Sequence, residues 1–227
     1  VAGSVYVSGG SERTTRWTPE RNFWMLAPNA PRWERLPDMP EGRMGHQMVA
    51  VAGKVYVVGG RGGGNVLIYD IGARAWSTGA EIPVARDHLG VAVLGTKVFA
   101  IGGRDTDLLR RVDVYDTVSD AWSEGPALPV PMSAMATGAT MVPDRAIHVV
   151  GGEEPATVGG YVLDRHFRLD ADGVEWVADP LPILPTHGSA AVVIDGRLYI
   201  TGGARRQGAL SPLGWTGRTE TYAPDLL

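Results

Sequence analysis

The stretch Val55-Tyr56-Val57-Val58-Gly59-Gly60 is a short apolar run, with one ring in second place, closed by two glycines. The same shape returns as residues 5–10 (VYVSGG), 98–103 (VFAIGG), 146–152 (AIHVVGG) and 198–203 (LYITGG), placing Tyr6, Phe99, His148 and Tyr199 at the ring position. The first glycines are residues 9, 59, 102, 151 and 202, at intervals of 50, 43, 49 and 51. A recurrence of this length marks a repeat architecture, whose units cannot bury their apolar faces alone and stack on one another.

Working outward from the diglycine, the second unit continues with a polar loop at 61–65, an apolar strand at 66–70, a turn and Trp76. The third runs through a loop at 104–107 and a strand at 112–116 to Trp122. Asp70 to Trp76, Asp116 to Trp122 and Asp170 to Trp176 are each six residues, and in the first unit Ala27 stands six before Trp33. After each of these Trp residues comes a proline-marked turn, at 36–40, 81–83, 127–129 and 180–182. A further apolar strand follows, at 46–51, 89–94, 135–142 and 189–194. Each period thus holds four strand-length segments. A four-stranded sheet with two apolar faces buries them by stacking around an axis as a propeller blade. Thirty-one glycines and sixteen prolines, scattered along the chain, fit many short strands joined by turns, and the class is all-β.

Composition bounds the rest. With 227 residues, 44% of them hydrophobic, and no low-complexity linker, residues 1–227 read as a single domain. The net charge of −4 and the lack of Lys/Arg blocks argue against nucleic acid as a partner. No apolar run approaches the roughly 20 residues that span a bilayer, so no membrane partner is expected. No charged-then-apolar leader is visible, and the chain opens on Val1 rather than methionine. It reads as soluble, of unknown compartment. The absence of cysteine removes disulfides, thiolate metal sites and a cysteine nucleophile. Abundant Ala, Arg, Gly and Val with little Lys point to a bacterial source.

These residues resemble a kelch-repeat β-propeller. The pattern behind the name is an Arg or His before the innermost strand, an aromatic ahead of a diglycine, a Tyr-Asp closing the third strand and a Trp six residues on. Arg43, Tyr56, Gly59-Gly60, Tyr69-Asp70 and Trp76 match it, as do Arg86, Phe99, Gly102-Gly103, Tyr115-Asp116 and Trp122. The fourth unit departs, with His148 for the aromatic and Leu169-Asp170 for Tyr-Asp. The resemblance covers nearly the whole chain and implies five recognisable four-stranded blades. The first and last are incomplete: the chain opens at a second strand, and the last unit's Trp would fall at position 229. Whether the native ring has five or six blades stays open. Trp33, Trp76, Trp122 and Trp176 recur at one repeat position and are expected in the core. Trp17, Trp24 and Trp215 lie off it and are free for other roles. Arg43 and Arg86 are read as structural, and His46 as a packed inner-strand residue.

In kelch propellers the loops after the diglycine and those leading into the innermost strand emerge on one face. The first set here contributes Ser11, Arg61, Arg104, Glu153 and Ala204-Arg205; the second contributes Met44, Asp87-His88, Met132-Ser133 and His187. The candidate ligand-binding rim is therefore Arg61, Arg104, Arg205, Asp87, His88, Glu153 and His187. Its arginines offer bidentate donors for carboxylates. The plainer alternative is that they pair with Asp105, Asp107, Glu153 and Glu154.

No catalytic residue is assigned and no cofactor is expected. Copper radical oxidases resembling galactose oxidase need a cysteine crosslinked to tyrosine, which this chain cannot supply. Five histidines, at 46, 88, 148, 166 and 187, form no metal-binding motif, so no metal is expected either. There is no Gly-x-Ser-x-Gly elbow, and no helix follows Gly62-Gly63-Gly64 to make a phosphate cradle. The chain thus leans away from an enzyme. The leading expectation is a binding module whose rim recognises a protein or peptide. The alternative is a carbohydrate-active propeller resembling the sialic-acid mutarotases, acting on a small acidic sugar. A pocket lined by convergent Arg, His and Glu would favour the sugar; a broad rim with exposed Trp215 or Met44 would favour the protein.

Overall fold

The computed structural model describes residues 3–13, 17–139, 146–154, 162–179, 186–194, 197–204 and 219–222. Among them every regular element is a strand. The first unit comprises β1 (Val5–Ser8), a hairpin of β2 (Ser11–Arg13) and β3 (Trp17–Pro19), then β4 (Phe23–Leu26) and β5 (Glu34–Arg35). Its sheet runs β1-β4-β5, with the β2–β3 hairpin standing apart. The second unit is β6 (Gln47–Val51), β7 (Lys54–Val58), β8 (Asn65–Asp70) and β9 (Ala75–Glu81). The third is β10 (Gly90–Leu94), β11 (Lys97–Ile101), β12 (Val112–Asp116) and β13 (Ala121–Glu124). The fourth is β14 (Ala136–Ala139), β15 (Ile147–Val150), β16 (His166–Leu169) and β17 (Trp176–Ala178). The fifth is β18 (Ala190–Ile194), β19 (Arg197–Thr201) and β20 (Thr219–Tyr222). Units two to four are four-stranded antiparallel meanders in sequence order, and the outer two show three strands each.

The six-residue spacing from Asp to Trp now has a physical reason. The Asp70 side chain accepts the backbone N–H of Ala73 at 2.8 Å, and Asp116 accepts those of Val118 and Ser119 at 2.9 and 3.2 Å. Such turns, closed by the aspartate's own side chain, fix the loop between the third and fourth strands. They set Tyr69 opposite Trp76 and Tyr115 opposite Trp122; in the fourth unit Leu169 stands opposite Trp176 in the same register.

Blades join through the two faces of their middle strands, which explains why those strands are continuously apolar. In β7, Val55 and Val57 reach the first unit, clustering with Phe23 and Met39 respectively. Tyr56 and Val58 face the third unit, with Leu89, Val98 and Tyr115. Each outer Trp then reaches back to the preceding blade. The indole N–H of Trp76 donates to Pro37 O at 2.8 Å, that of Trp122 to Ala80 O at 3.2 Å, and that of Trp176 to Pro126 O at 2.8 Å. Trp33 departs from the expected core position and is 43% exposed. The reason lies in the same rule: its indole belongs to the first unit, and among the described residues no blade precedes it.

The diglycine is where neighbouring blades touch backbone to backbone. Gly60 N–H donates to Arg86 O of the next blade at 2.9 Å, Gly103 to Met132 O at 2.9 Å and Gly152 to Thr186 O at 2.8 Å. Gly59 and Gly60 have φ of +66° and +88°; a Cβ on the first would lie 2.5 Å from Leu89 and on the second 2.7 Å from His46. Only glycine fits both the left-handed backbone and that approach.

Candidate functional site

One face of the blades is laced together by short backbone bridges, and these bring the two sequence-derived loop sets into one-to-one pairs. Met44 pairs with Arg61, Asp87 with Arg104, Ser133 with Glu153 and His187 with Ala204. The Asp87–Arg104 pair exchanges two hydrogen bonds of 2.9 Å. A second chain of bonds links the blades at the channel mouth: His88 N–H to Gly45 O, Ala134 N–H to His88 O and Gly188 N–H to Ala134 O, at 2.7–2.8 Å. His88 holds a φ of +53° there, a conformation that favours glycine and that histidine tolerates better than most residues. Its ring lies against Gly45.

On this frame the rim side chains converge on Asp87. Arg61 Nε donates to Asp87 Oδ2 at 2.6 Å, Arg104 Nε donates to Oδ1 at 2.8 Å, and His88 Nδ1 bonds Oδ1 as well. Arg104 also sets one terminal nitrogen 3.2 and 3.3 Å from the two ring nitrogens of His88, lying across the imidazole. Burial of the Asp87 carboxylate opposes its charge, but the hydrogen bonds from His88, Arg61 and Arg104 outweigh this and hold it well below the usual carboxylate range. In the next blade His187 Nδ1 lies 2.8 Å from Glu153 Oε1. That hydrogen bond, against the opposing effect of burial and helped by the charges of His187, Arg104 and His88, keeps Glu153 ionised below its ordinary value.

The structure therefore answers the pairing expected for the arginines differently. Arg61 and Arg104 share Asp87, from the other loop set, rather than Asp105, Asp107, Glu153 or Glu154. Asp87 serves because it is 6% exposed and its backbone is bridged to Arg104, so its carboxylate is presented to both guanidinium groups. Arg61 keeps 56% of its side chain exposed, Arg104 34% and His88 35%. Arg205 and Trp215 lie outside the described residues. Met44 is buried at 9% exposure, so it offers no rim anchor.

Arg43 and Arg86 sit beneath this surface. The Arg86 side chain is fully buried, donating to the carbonyls of Val84, Ala100 and Gly102 and pairing with buried Asp113 at 2.8 Å. Arg43 pairs with Glu41 at 2.8 Å and donates to Asn65 O at 3.2 Å. His46 accepts or donates to Ser8 Oγ at 2.8 Å; burial, seconded by the Arg43 charge, lowers its pKa to about 4.

Two features escaped the sequence reading. The first is the β2–β3 hairpin, which carries Trp17 at 60% exposure. It rises directly from the first diglycine. Its foot is tied to the rim by the Glu20–Arg43 bridge, and Pro19 packs beside Gly42 and Gly62, next to Arg61. Its sequence signal is loop length: residues 11–22 separate diglycine and next blade strand in the first unit, against 61–64 in the second. The second is a meeting of His148, His166 and Asp179, eighteen and thirteen residues apart in sequence and adjacent in the fourth blade. Separately, the innermost strands enclose a channel cavity of about 730 Å³ lined by Gln47, Val49, Val91, Val93, Ser189 and Val192 among others. Among the described residues no Arg, His or Glu lines it.

Four-stranded meanders joined by diglycines, Tyr/Trp stacks and a loop-bearing rim define a kelch-type β-propeller. The family model for the KLHDC2/KLHL20/DRC7 Kelch-repeats domain matches residues 1–203, and the chain belongs to the kelch-repeat family. It is similar to Kelch-like protein terF of Aspergillus terreus, 27% identical over 245 residues covering all of this chain and 52% of that protein. It is also similar to mouse Kelch-like protein 35, 29% identical over 92% of this chain and 34% of that protein. Beta-scruin of Limulus polyphemus is 27% identical over 98% of this chain and 26% of that protein. The chain thus spans between a quarter and about half of the length of these relatives. All three are eukaryotic, so the compositional pointer to a bacterial source finds no support among them.

Proposed function

We propose that residues 1–227 work as one kelch domain whose rim face binds a protein or peptide partner bearing acidic side chains. The observation that carries this is Trp17, 60% exposed on a hairpin whose foot packs beside Arg61. Trp and Arg are the residues on which interface energy concentrates. Arg61 is preorganised for the role: Asp87 anchors its Nε while more than half of the side chain faces solvent, ready for a carboxylate. The rim loops stand on a frame of backbone bonds, the arrangement by which rigid scaffolds present recognition loops. That the relatives carry a kelch region as part of a longer chain fits a binding unit.

The acidic-sugar alternative draws no support from the channel, where no cationic group is among the described lining residues. It becomes a control. Labelled acidic, neutral and basic peptides are titrated with the purified chain by fluorescence anisotropy, with sialic acid as a separate arm. The acidic peptides bind, and Trp17→Ala and Arg61→Gln each weaken them about tenfold or more, equal to about 1.4 kcal/mol. Equal binding of all three peptide classes, or indifference to both substitutions, overturns the proposal; stabilisation by sialic acid alone would favour the sugar.

A further inference from the structure

We infer that His148, His166 and Asp179 form a site for a divalent transition-metal ion of the zinc class, buried between the fourth and fifth blades. One nitrogen from each imidazole and one carboxylate oxygen lie within 4.8 Å of one another. His148 Nδ1 is 2.8 Å from His166 Nε2, and His166 Nδ1 is 3.9 Å from Asp179 Oδ2. The two contacts use opposite nitrogens of the His166 ring, so an ion takes one of them, and the three ligand atoms, already within 4.8 Å of one another, draw in toward the separation of about 3.3 Å expected between tetrahedral ligands bound at roughly 2.0–2.1 Å.

The repeat supplies an independent argument. His148 takes the position of Tyr56 and Phe99 ahead of the diglycine. His166 pairs with Val150 just before Gly151 as Val112 pairs with Ile101 just before Gly102. Asp179 N–H bonds His166 O, as Gly125 N–H bonds Val112 O. The third blade therefore fills the same three places with Phe99, Val112 and Gly125, while the fourth carries two imidazoles and a carboxylate. His148, Val150 and His166 share one face of the sheet, and Val150 clusters with Leu198 and Ile200, so the group faces the fifth blade. His148 is 0% exposed and His166 3%. Two imidazoles in a junction that the third blade fills with Phe99 and Val112 cost stability unless they serve a ligand or one another.

The donor set selects the ion. Imidazole and carboxylate together suit zinc-class metals, whereas calcium and magnesium want more oxygen ligands than these three residues offer. Asp179 keeps 20% of its side chain exposed and opens the site on one side. Arg168 Nε lies 3.7 Å from Asp179 Oδ2, while its Nη1 makes the shorter contact, 2.7 Å, to Asp170. In the metal-bound form the hydrogen bond between the two imidazoles gives way to metal–nitrogen bonds, and water fills the remaining position.

The test is zinc retention. The intact chain is loaded with ZnCl2, dialysed against metal-free buffer, and its zinc measured; a parallel sample with Co2+ is read by visible absorption. The expected result is about one zinc per chain and a cobalt spectrum of tetrahedral intensity. Both should be lost in Asp179→Asn and in His148→Phe, which restores the ring used by the third blade. Retention should fall on acidification, because protons compete with the metal for its ligands. His88→Gln and His187→Gln serve as controls and keep the metal. If the wild-type chain holds no zinc, or holds it equally with Asp179→Asn, the inference is wrong. Should His148→Phe fail to fold by circular dichroism, the Asp179→Asn and cobalt readings decide alone.

Discussion

Asp87 is the residue on which the rim side chains depend. It is almost buried, and two guanidinium groups and an imidazole are held by it. Replacing it with Ala removes the shared acceptor and leaves three donors facing one another. We expect a loss of about 1–3 kcal/mol, read as a lower urea midpoint at unchanged m-value. The arginines therefore do structural duty as well, so their wholesale removal would cost stability along with any binding. His46 gives a pH prediction. Its folded pKa is lowered to about 4, while the unfolded chain takes up a proton below about 6.5. Between those values the unfolded state binds more protons, so stability falls as pH drops from 6.5 to 4. The loss attributable to this group is at most roughly 3 kcal/mol. A His46→Phe variant should show a shallower fall of melting temperature across that window; an identical slope in both proteins would remove His46 as the cause.

At the scale of the element, the diglycine and the Trp each carry a distinct load. Gly59→Val must place a branched side chain at φ +66° with its Cβ 2.5 Å from Leu89. A loss above about 4 kcal/mol, or failure to fold, is expected, whereas Gly95→Ala, at φ +62° with open space around it, should cost about 1 kcal/mol. Equal effects at the two sites, measured by thermal unfolding, would contradict the close-approach account. Trp122→Leu loses the bond to Ala80 O and stacking on Tyr115, whose ring centre lies 5.1 Å away, and should cost about 3 kcal/mol. Trp33→Leu, at an exposed position, should cost under about 1 kcal/mol.

At this scale the sequence was most readable, for a reason visible in the contacts. The diglycine recurs in all five units and the Asp turn with its Trp six residues on is complete in the second and third, all fixed by local backbone geometry, so spacing alone displays them. Trp33 misled because its burial depends on a neighbouring blade, which no local pattern records. Asp87 belongs to a loop set that the repeat spacing picks out, yet its role as shared acceptor depends on side-chain reach across two blades. The Trp17 hairpin and the meeting of His148 with Asp179 depend likewise on how far loops extend and which strand faces which.

For the whole molecule, the blades form a stack in which each innermost strand contacts the next: β6 with β10, β10 with β14, and β14 with β18. The described strands of the first unit end in exposed Val5 and Val7, and Val192 of the fifth is half exposed. No helix among the described residues is long and apolar enough to cross a membrane. What the stack provides is a single face on which the bridged loops meet, and a separate channel between the innermost strands. A partner of the kind proposed must engage the face and leave the channel alone. Hydrogen exchange of the chain with and without a bound acidic peptide separates the two most directly. The account predicts slowed exchange at residues 11–20, 61–64, 87–88 and 104–108, with residues 47–50, 91–93 and 190–192 unchanged. Protection confined to those channel-lining strands, with the rim loops unaffected, would contradict it.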